Sequence, residues 1–347
     1  MKLATYTGPS GPELGVVVEE EIISVSSHEL EGRRIESMQD YLRDLPHNRK
    51  IVEEWASNKA GTGIALRDTK LLSPVQRPPM LLDCSVAPRH LWQGSTTMFA
   101  RSLPRPIAAV ARPFIGPISR RVLARRLDGE MLYYKGRTTS VVGTGATIPW
   151  PAYTAYLDIE PELAIVVGDI DLGASPEQVA ARIGGYTILN DVSARDVQLR
   201  EMMGTGLAAT KDMENGNVLG PILVTPDEFG DPLDRDVRVT TDLGRVWTGT
   251  TADYTHDPVD VVTAIAERQH LEAGTVIGMG TVADTCGLER DEWIEPGESI
   301  WIEIAGIGTL HQSIGFPAIA PPTRWQSRTG LALSPSQSAS TGQLGNS

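Results

Sequence analysis

Apolar residues along the chain come in short clusters separated by Gly, Pro and acidic residues, a spacing that predicts strands more often than long helices. Gly15-Val16-Val17-Val18 and Ile22-Ile23-Ser24-Val25 flank the acidic turn Glu19-Glu20-Glu21, as in a short hairpin. Helical patterns follow over 37–42 and 51–57, the first ending near Pro46. Leu81-Leu82-Asp83 reads as the end of a short strand, and from there to about residue 129 the pattern is irregular. From Met131 onward it turns β-rich, with strands predicted at 139–142, 163–167, 186–189, 222–225, 237–240 and 300–304. Short helices are predicted at 176–181, 194–203 and 258–267. Strands that dominate the middle of the chain, without βαβ alternation, argue for a mixed, β-rich α+β fold. The expected organisation is a small N-terminal α+β domain at 1–75, a main domain at 76–322 and a disordered tail at 323–347, rich in Ser, Gln, Gly and Thr.

Composition narrows the functional classes. The 347 residues carry 31 Lys and Arg against 44 Asp and Glu, a net charge of −13 that argues against a nucleic-acid or anionic-membrane surface. No apolar run approaches the ~20 residues of a membrane span. Met1-Lys2-Leu3-Ala4-Thr5-Tyr6 lacks the apolar core of a signal peptide, so a cytoplasmic location is expected. Two cysteines, Cys84 and Cys286, cannot build a disulfide framework or a thiolate zinc site. One segment runs against the acidic balance. Residues 101–126 hold Arg101, Arg105, Arg112, Arg120, Arg121, Arg125 and Arg126 with no acid, broken by Pro104, Pro106, Pro113 and Pro117. It reads either as a lid over an anionic ligand or as a solvated loop or subunit contact.

Two motifs carry candidate chemistry. In Asp158-Ile159-Glu160-Pro161-Glu162, period-two alternation puts Glu160 and Glu162 on one face at the mouth of an apolar strand. Taken alone, the pair also fits a solvated edge strand; between facing carboxylates, a divalent cation would offset the repulsion. In Asn190-Asp191-Val192-Ser193-Ala194-Arg195-Asp196-Val197-Gln198, a strand stops and a helix starts. Ser193 is the expected N-cap, with Asp196 completing a box-like pattern. Asp191, Arg195 and Gln198 would then project from one near-helical face, or Asp191 and Arg195 would simply pair. Carboxylates from two strands make an all-oxygen site, which favours Mg²⁺, with Mn²⁺ or Ca²⁺ as alternatives, over Zn²⁺. No Walker-type glycine loop and no Gly-x-Ser-x-Gly elbow is present. Among six histidines, His90 stands apart, seven residues after Asp83.

These residues together resemble the fumarylacetoacetate hydrolase family over about residues 76–315. Four blocks carry the likeness: 134–142, 157–168, 185–198 and 211–221, the last ending in Leu219-Gly220-Pro221. The resemblance implies a mixed β-sandwich roll, a homodimer, a divalent metal and a small 2-oxo or diketo acid substrate cleaved at a C–C bond. It implies Glu160, Glu162 and Asp191 as metal ligands, with Asp83 as a further one. It implies His90 as the base that activates water, Glu289 as its orienting carboxylate, and Arg195, Gln198, Lys211 and Tyr134 as residues facing the substrate. Isomerisation, decarboxylation or dehydration on the same site, or a silent ligand-binding protein, are the rival expectations. Met213 and Asn215 stand where the family commonly has an aromatic residue and a threonine.

Overall fold

The computed structural model describes residues 1–57, 63–126, 131–204, 206–323, Trp325, Arg328 and 331–334. Eleven strands form the main sheet: β1 (Lys2–Gly8), β2 (Gly11–Val18), β3 (Glu21–Ser24), β4 (Ile64–Ala65), β5 (Leu81–Cys84), β6 (Tyr133–Lys135), β7 (Val141–Val142), β8 (Pro161–Val167), β9 (Ile183–Asp191), β10 (Asn217–Val224) and β11 (Val276–Gly278). Their spatial order is β4-β3-β2-β1-β10-β9-β8-β11-β5-β6, with β7 also on β10. A second, five-stranded sheet runs Ala146–Ile148, Gly308–Ile314, Ser299–Ile304, Asp236–Thr241 and Val246–Thr250. The helices are α1 (Met38–Arg43), α2 (His47–Ala56), α3 (Pro88–Ser102), α4 (Arg105–Arg126), α5 (Pro176–Arg182), α6 (Arg195–Met202), α7 (Pro226–Phe229), α8 (Pro258–Ala266) and α9 (Gly287–Arg290).

The continuous apolar run of β8 has a simple cause. All seven of its residues are buried, because both faces of the strand are covered. Leu163, Ile165 and Val167 join a core that also holds Val239, Ile302 and Leu310 of the second sheet. Ala164 and Val166 point the other way, into a core with Tyr41 and Leu42 of α1 and Ile51 and Val52 of α2. Glu162 shares the parity of Ala164 and Val166, Asp191 that of Leu189, and Asp83 that of Leu81, all of which belong to this second core. The three carboxylates therefore lie on one face of three strands, where the apolar layer ends.

The hairpin predicted in the first 25 residues is β2–β3, paired antiparallel. Residues 1–75 contribute four strands to the main sheet, because β1 pairs with β10 through Lys2↔Val224 and Leu3↔Leu223. The stretch expected to be irregular after residue 84 is instead helical: α3 and α4, the latter with Pro113 and Pro117 inside its span. Its prolines and absent acids hid that. Of the predicted tail at 323–347, Trp325 is buried against Tyr156 and Trp293, and Arg328 donates to the carbonyls of Ala155 and Ile294. Residues 335–347 lie outside the described residues. No helix among the described residues is long and apolar enough to cross a membrane.

Candidate active site

Four carboxylates meet at the ends of β5, β8 and β9. Asp83, Glu160, Glu162 and Asp191 are all buried, each with a ligand atom within 4.8 Å of the others. Period two brings Glu160 and Glu162 to one place, as expected. Asp83 reaches them from β5 across β11, and this approach depends on Gly278, which pairs with Asp83 on one side and Ala164 on the other. A Cβ there would collide with Glu162 Oε2 and lie 3.1 Å from Asp83 Oδ1. Gly280, at φ +98°, turns its N–H to donate to Glu162 Oε2 at 3.0 Å. Its carbonyl accepts from the Tyr254 hydroxyl at 2.7 Å.

Lys211 supplies the cluster's cation. Its Nζ pairs with Glu160 and with Asp191, and Tyr134 donates its hydroxyl to Asp191. Arg195 also pairs with Glu160. Burial drives the Glu160 carboxyl up, but Arg195, Lys211 and His90 outweigh it and hold the group at about 2. Asp83 has only the Lys211 charge on its side, and for Glu162 the leading causes all push the same way. Burial, and after it the charges of adjacent carboxylates, pushes both well above the ordinary range. Burial pulls the Lys211 ammonium down, yet Asp191 and Glu160 beside it keep it above its usual value.

The donor set fits a hard divalent cation. Three buried carboxylate oxygens, Asp83 Oδ1, Glu162 Oε1 and Asp191 Oδ1, have no hydrogen-bond partner. Orphan acceptors of this kind are costly to bury unless something positive meets them. Glu160 differs, since Arg195 and Lys211 already engage both its oxygens.

His90 stands at the rim, on the first turn of α3. Its Nδ1 lies 2.9 Å from Glu289 Oε1 and its Nε2 3.8 Å from Glu160 Oε1. The Glu289 side chain is 1% exposed, and α9 holds it in place. The sulfur of Cys286, 3.7 Å from His90 Nδ1, is a neutral neighbour, because burial pushes its thiol well up.

Arg195, expected to face a substrate, is engaged by other side chains. It is fully buried, its Nε donates to Asp158 at 2.8 Å, and its Nη1 donates to Gln198 at 3.0 Å. Asp158 in turn accepts from the backbone N–H groups of Gly287 and Leu288, at 2.8 and 2.9 Å. Arg195 is therefore a positioning residue that joins Glu160 to the turn carrying Glu289. Ser193 is not the N-cap of α6. It sits in a two-residue strand with Ala194 against Leu157 and Asp158, and α6 starts after Ala194 with no side-chain cap. Asp196 is taken instead by Thr154 and the Ala155 N–H. Asp191 ends a strand rather than a helical face, and its partner is Lys211 rather than Arg195.

His90, Gln198, Tyr134, Lys211, Asp83, Glu160 and Glu162 all line one small cavity of about 90 Å³. Sequence reasoning missed the roles of Asp158, Gly278, Gly280 and Tyr254. Asp158 was within reach, as the first member of the same period-two run as Glu160 and Glu162. Gly278 is brought in by strand pairing with Ala164 and Asp83, and Gly280 and Tyr254 by hydrogen bonds to Glu162 and Leu163, 118 and 91 residues away.

Comparison with known proteins agrees with this geometry. Residues 119–315, more than half the chain, match the family described as Fumarylacetoacetate (FAA) hydrolase C-terminal. The oxaloacetate tautomerase YisK of Bacillus subtilis (strain 168) is 32% identical over 165 residues, covering 47% of this chain and 53% of that one. The 2,4-didehydro-3-deoxy-L-rhamnonate hydrolase of Sphingomonas sp. (strain SKA58) is 26% identical over 187 residues, 53% of this chain and 65% of that one. The matched region thus spans about half to two thirds of these relatives. In fold, the chain is similar to maleylpyruvate hydrolase from Sphingobium sp. SYK-6, solved with manganese(II) and pyruvate. The TM-score is 0.66 at 20% identity, over 91% of this chain and 99% of that one. The 2-hydroxyhepta-2,4-diene-1,7-dioate isomerase from Mycobacterium marinum gives 0.62 at 23%, over 91% and 98%. With its mixed sheets, its four-carboxylate cluster and its matched residues taken together, the chain belongs to the fumarylacetoacetate hydrolase family.

Proposed function

We propose that this protein is a divalent-metal-dependent enzyme that hydrolyses a C–C bond in a β-diketo or acylpyruvate-type 2-oxo acid, acting in the cytoplasm as a homodimer with Mg²⁺. The observation that carries the reading is the buried His90–Glu289 pair at the edge of the carboxylate cluster. Asp83, Glu162 and Asp191 would hold the cation, with Glu160 completing the set. When bound, the cation supplies Lewis acidity toward neighbouring substrate oxygens. With Nδ1–H donating to Glu289, the His90 Nε2 is the free base on the cluster side. It takes a proton from water as the water oxygen adds to the acyl carbonyl. The C–C bond then breaks, its electron pair leaving with the 2-oxo acid as an enolate. The proton held at His90 returns to that fragment. Lys211 stabilises the negative charge that develops on the substrate oxygens, in a site where burial strengthens the effect. Gln198 and Tyr134 orient the substrate.

The same base also suits proton transfer without water, the chemistry named for the Bacillus relative. One experiment separates the two. Acylpyruvates and oxaloacetate are followed by NMR with Mg²⁺, with Mn²⁺ and with EDTA. Metal-dependent release of pyruvate and a carboxylic acid is expected, and His90→Ala should cut it about 10²–10⁴-fold while sparing metal binding. Metal-dependent tautomer exchange without cleavage would move the function to isomerisation.

A further inference from the structure

The carboxylate cavity, at about 90 Å³, has room for a short polar head. A second cavity of about 330 Å³ shares His90, Leu91, Gln198 and Met202 with it. Its wall is made where α3 and α4 face α6: Met98, Phe99, Ile118, Val122, Leu199 and Met203 line it. Among its described lining residues there is no Arg, Lys, Asp or Glu. Two arginines of the basic segment, Arg101 and Arg112, are used elsewhere. Arg101 bonds Asp291 at 2.7 Å and Tyr156 at 3.0 Å, and Arg112 lies 3.8 Å from Asp291. Among the described residues, that segment brings Ile118, Ser119, Val122 and Leu123 to the cavity.

We propose that this second cavity receives the acyl tail of the substrate, so that the protein acts on 2-oxo acids carrying an extended apolar substituent rather than a second carboxylate. The proposal rests on the preceding functional reading. A head held at the carboxylate cluster leaves the small cavity past His90 and Gln198, and the space beyond is apolar. A carboxylate there would lose water with no Arg or Lys among the described lining residues to meet it. The three methionines Met98, Met202 and Met203 offer a wall that adapts to tails of different shape.

The test uses N-alkyl oxamates, stable chelating mimics of a 2-oxo acid head, titrated calorimetrically into the full chain loaded with Mn²⁺. From methyl to hexyl, affinity should rise about fourfold per methylene, the factor expected for burying one CH₂. A tail of equal length tipped with a carboxylate should bind at least about tenfold more weakly than its alkyl counterpart. Val122→Arg should reverse that preference. The readout is a ratio of two affinities in one variant, so partial loss of folding does not imitate it. A flat chain-length series with oxamate itself still bound overturns the tail cavity and leaves the metal-site reading standing. No metal-dependent binding of oxamate at all overturns both.

Discussion

The carboxylate cluster and the α3–α4 wall sit side by side, share His90, and are built on opposite principles. The first packs four acids and two cations at strand ends, where every group is buried and most are held by several partners. The second is a loosely filled apolar surface on two helices, several of whose residues remain exposed, Ile118 and Val122 among them. Strand register holds charged atoms to fractions of an ångström, whereas a helical wall of Met, Ile and Val tolerates change. On the proposed reading the strand ends hold the cation, α3 and α9 bring the His90–Glu289 pair to it, and the helical wall selects the tail.

Two glycines offer the sharpest way to break this contrast. Gly278→Ala puts a methyl into Glu162 and against Asp83; the Asp83 backbone is paired on both sides, with β11 and β6, and that of Glu162 with β9. Metal binding by calorimetry and turnover should both fall at least about 10³-fold, comparable with removing a group that acts only in the transition state. Gly94→Ala on α3 meets the Leu288 side chain, its Cδ2 tip at 2.9 Å, and lies no closer than 4.0 Å to His90. Its effect on metal binding should stay within about twofold, and a large loss there would erase the distinction between rigid and adaptable regions.

Next in size is Asp158→Asn. It leaves the buried Arg195 charge with Glu160 as its only carboxylate partner and weakens the bonds to Gly287 and Leu288. Loss of one partner of a buried pair costs about 3–5 kcal/mol. Urea unfolding should show a loss of that order, together with a reduced kcat, since α9 carries Glu289. Unchanged stability would mean that Asp158 does not anchor this turn.

The smallest effect is a pH dependence of opposite signs. Asp83 and Glu162 have folded pKa values raised by burial and by neighbouring carboxylates. In the metal-free protein their contribution to stability is complete below the unfolded values of ~4 and is lost as pH rises through the folded values. Glu160 runs the other way: held at about 2, it contributes above ~4.3 and loses that contribution as pH falls toward 2. With EDTA, stability should therefore decline on the alkaline side of the carboxylate range. With Mn²⁺ that decline should vanish, and metal uptake should release protons, measurable by calorimetry in two buffers. Equal curves with and without metal would remove these carboxylates from the ligand set.

Several elements were legible from local pattern alone. The hairpin of β2 and β3, the buried run of β8, and helices α5, α6 and α8 follow from apolar spacing and breakers. So does the joint placement of Glu160 and Glu162. The α3–α4 hairpin was not, because Pro113 and Pro117 break the signal that local propensity provides, and packing against neighbours overrides it. The surroundings of Arg195 were not legible for a related reason. An arginine next to a ligand motif has the right chemistry for a substrate, and only the position of Asp158, 37 residues away, shows that its Nε is already engaged.

The order of residue types along the chain determined which strands are buried on both faces and which acids share a face with them, because side-chain alternation is a local property. Pairing across β11 decided that Asp83 joins Glu162, with Gly278 as the gap between them. Helix packing decided that a basic, proline-broken stretch presents an apolar wall beside the cluster. Both depend on contacts between residues far apart in the chain, whose free energy comes from burial and cannot be read from either partner's neighbours in sequence.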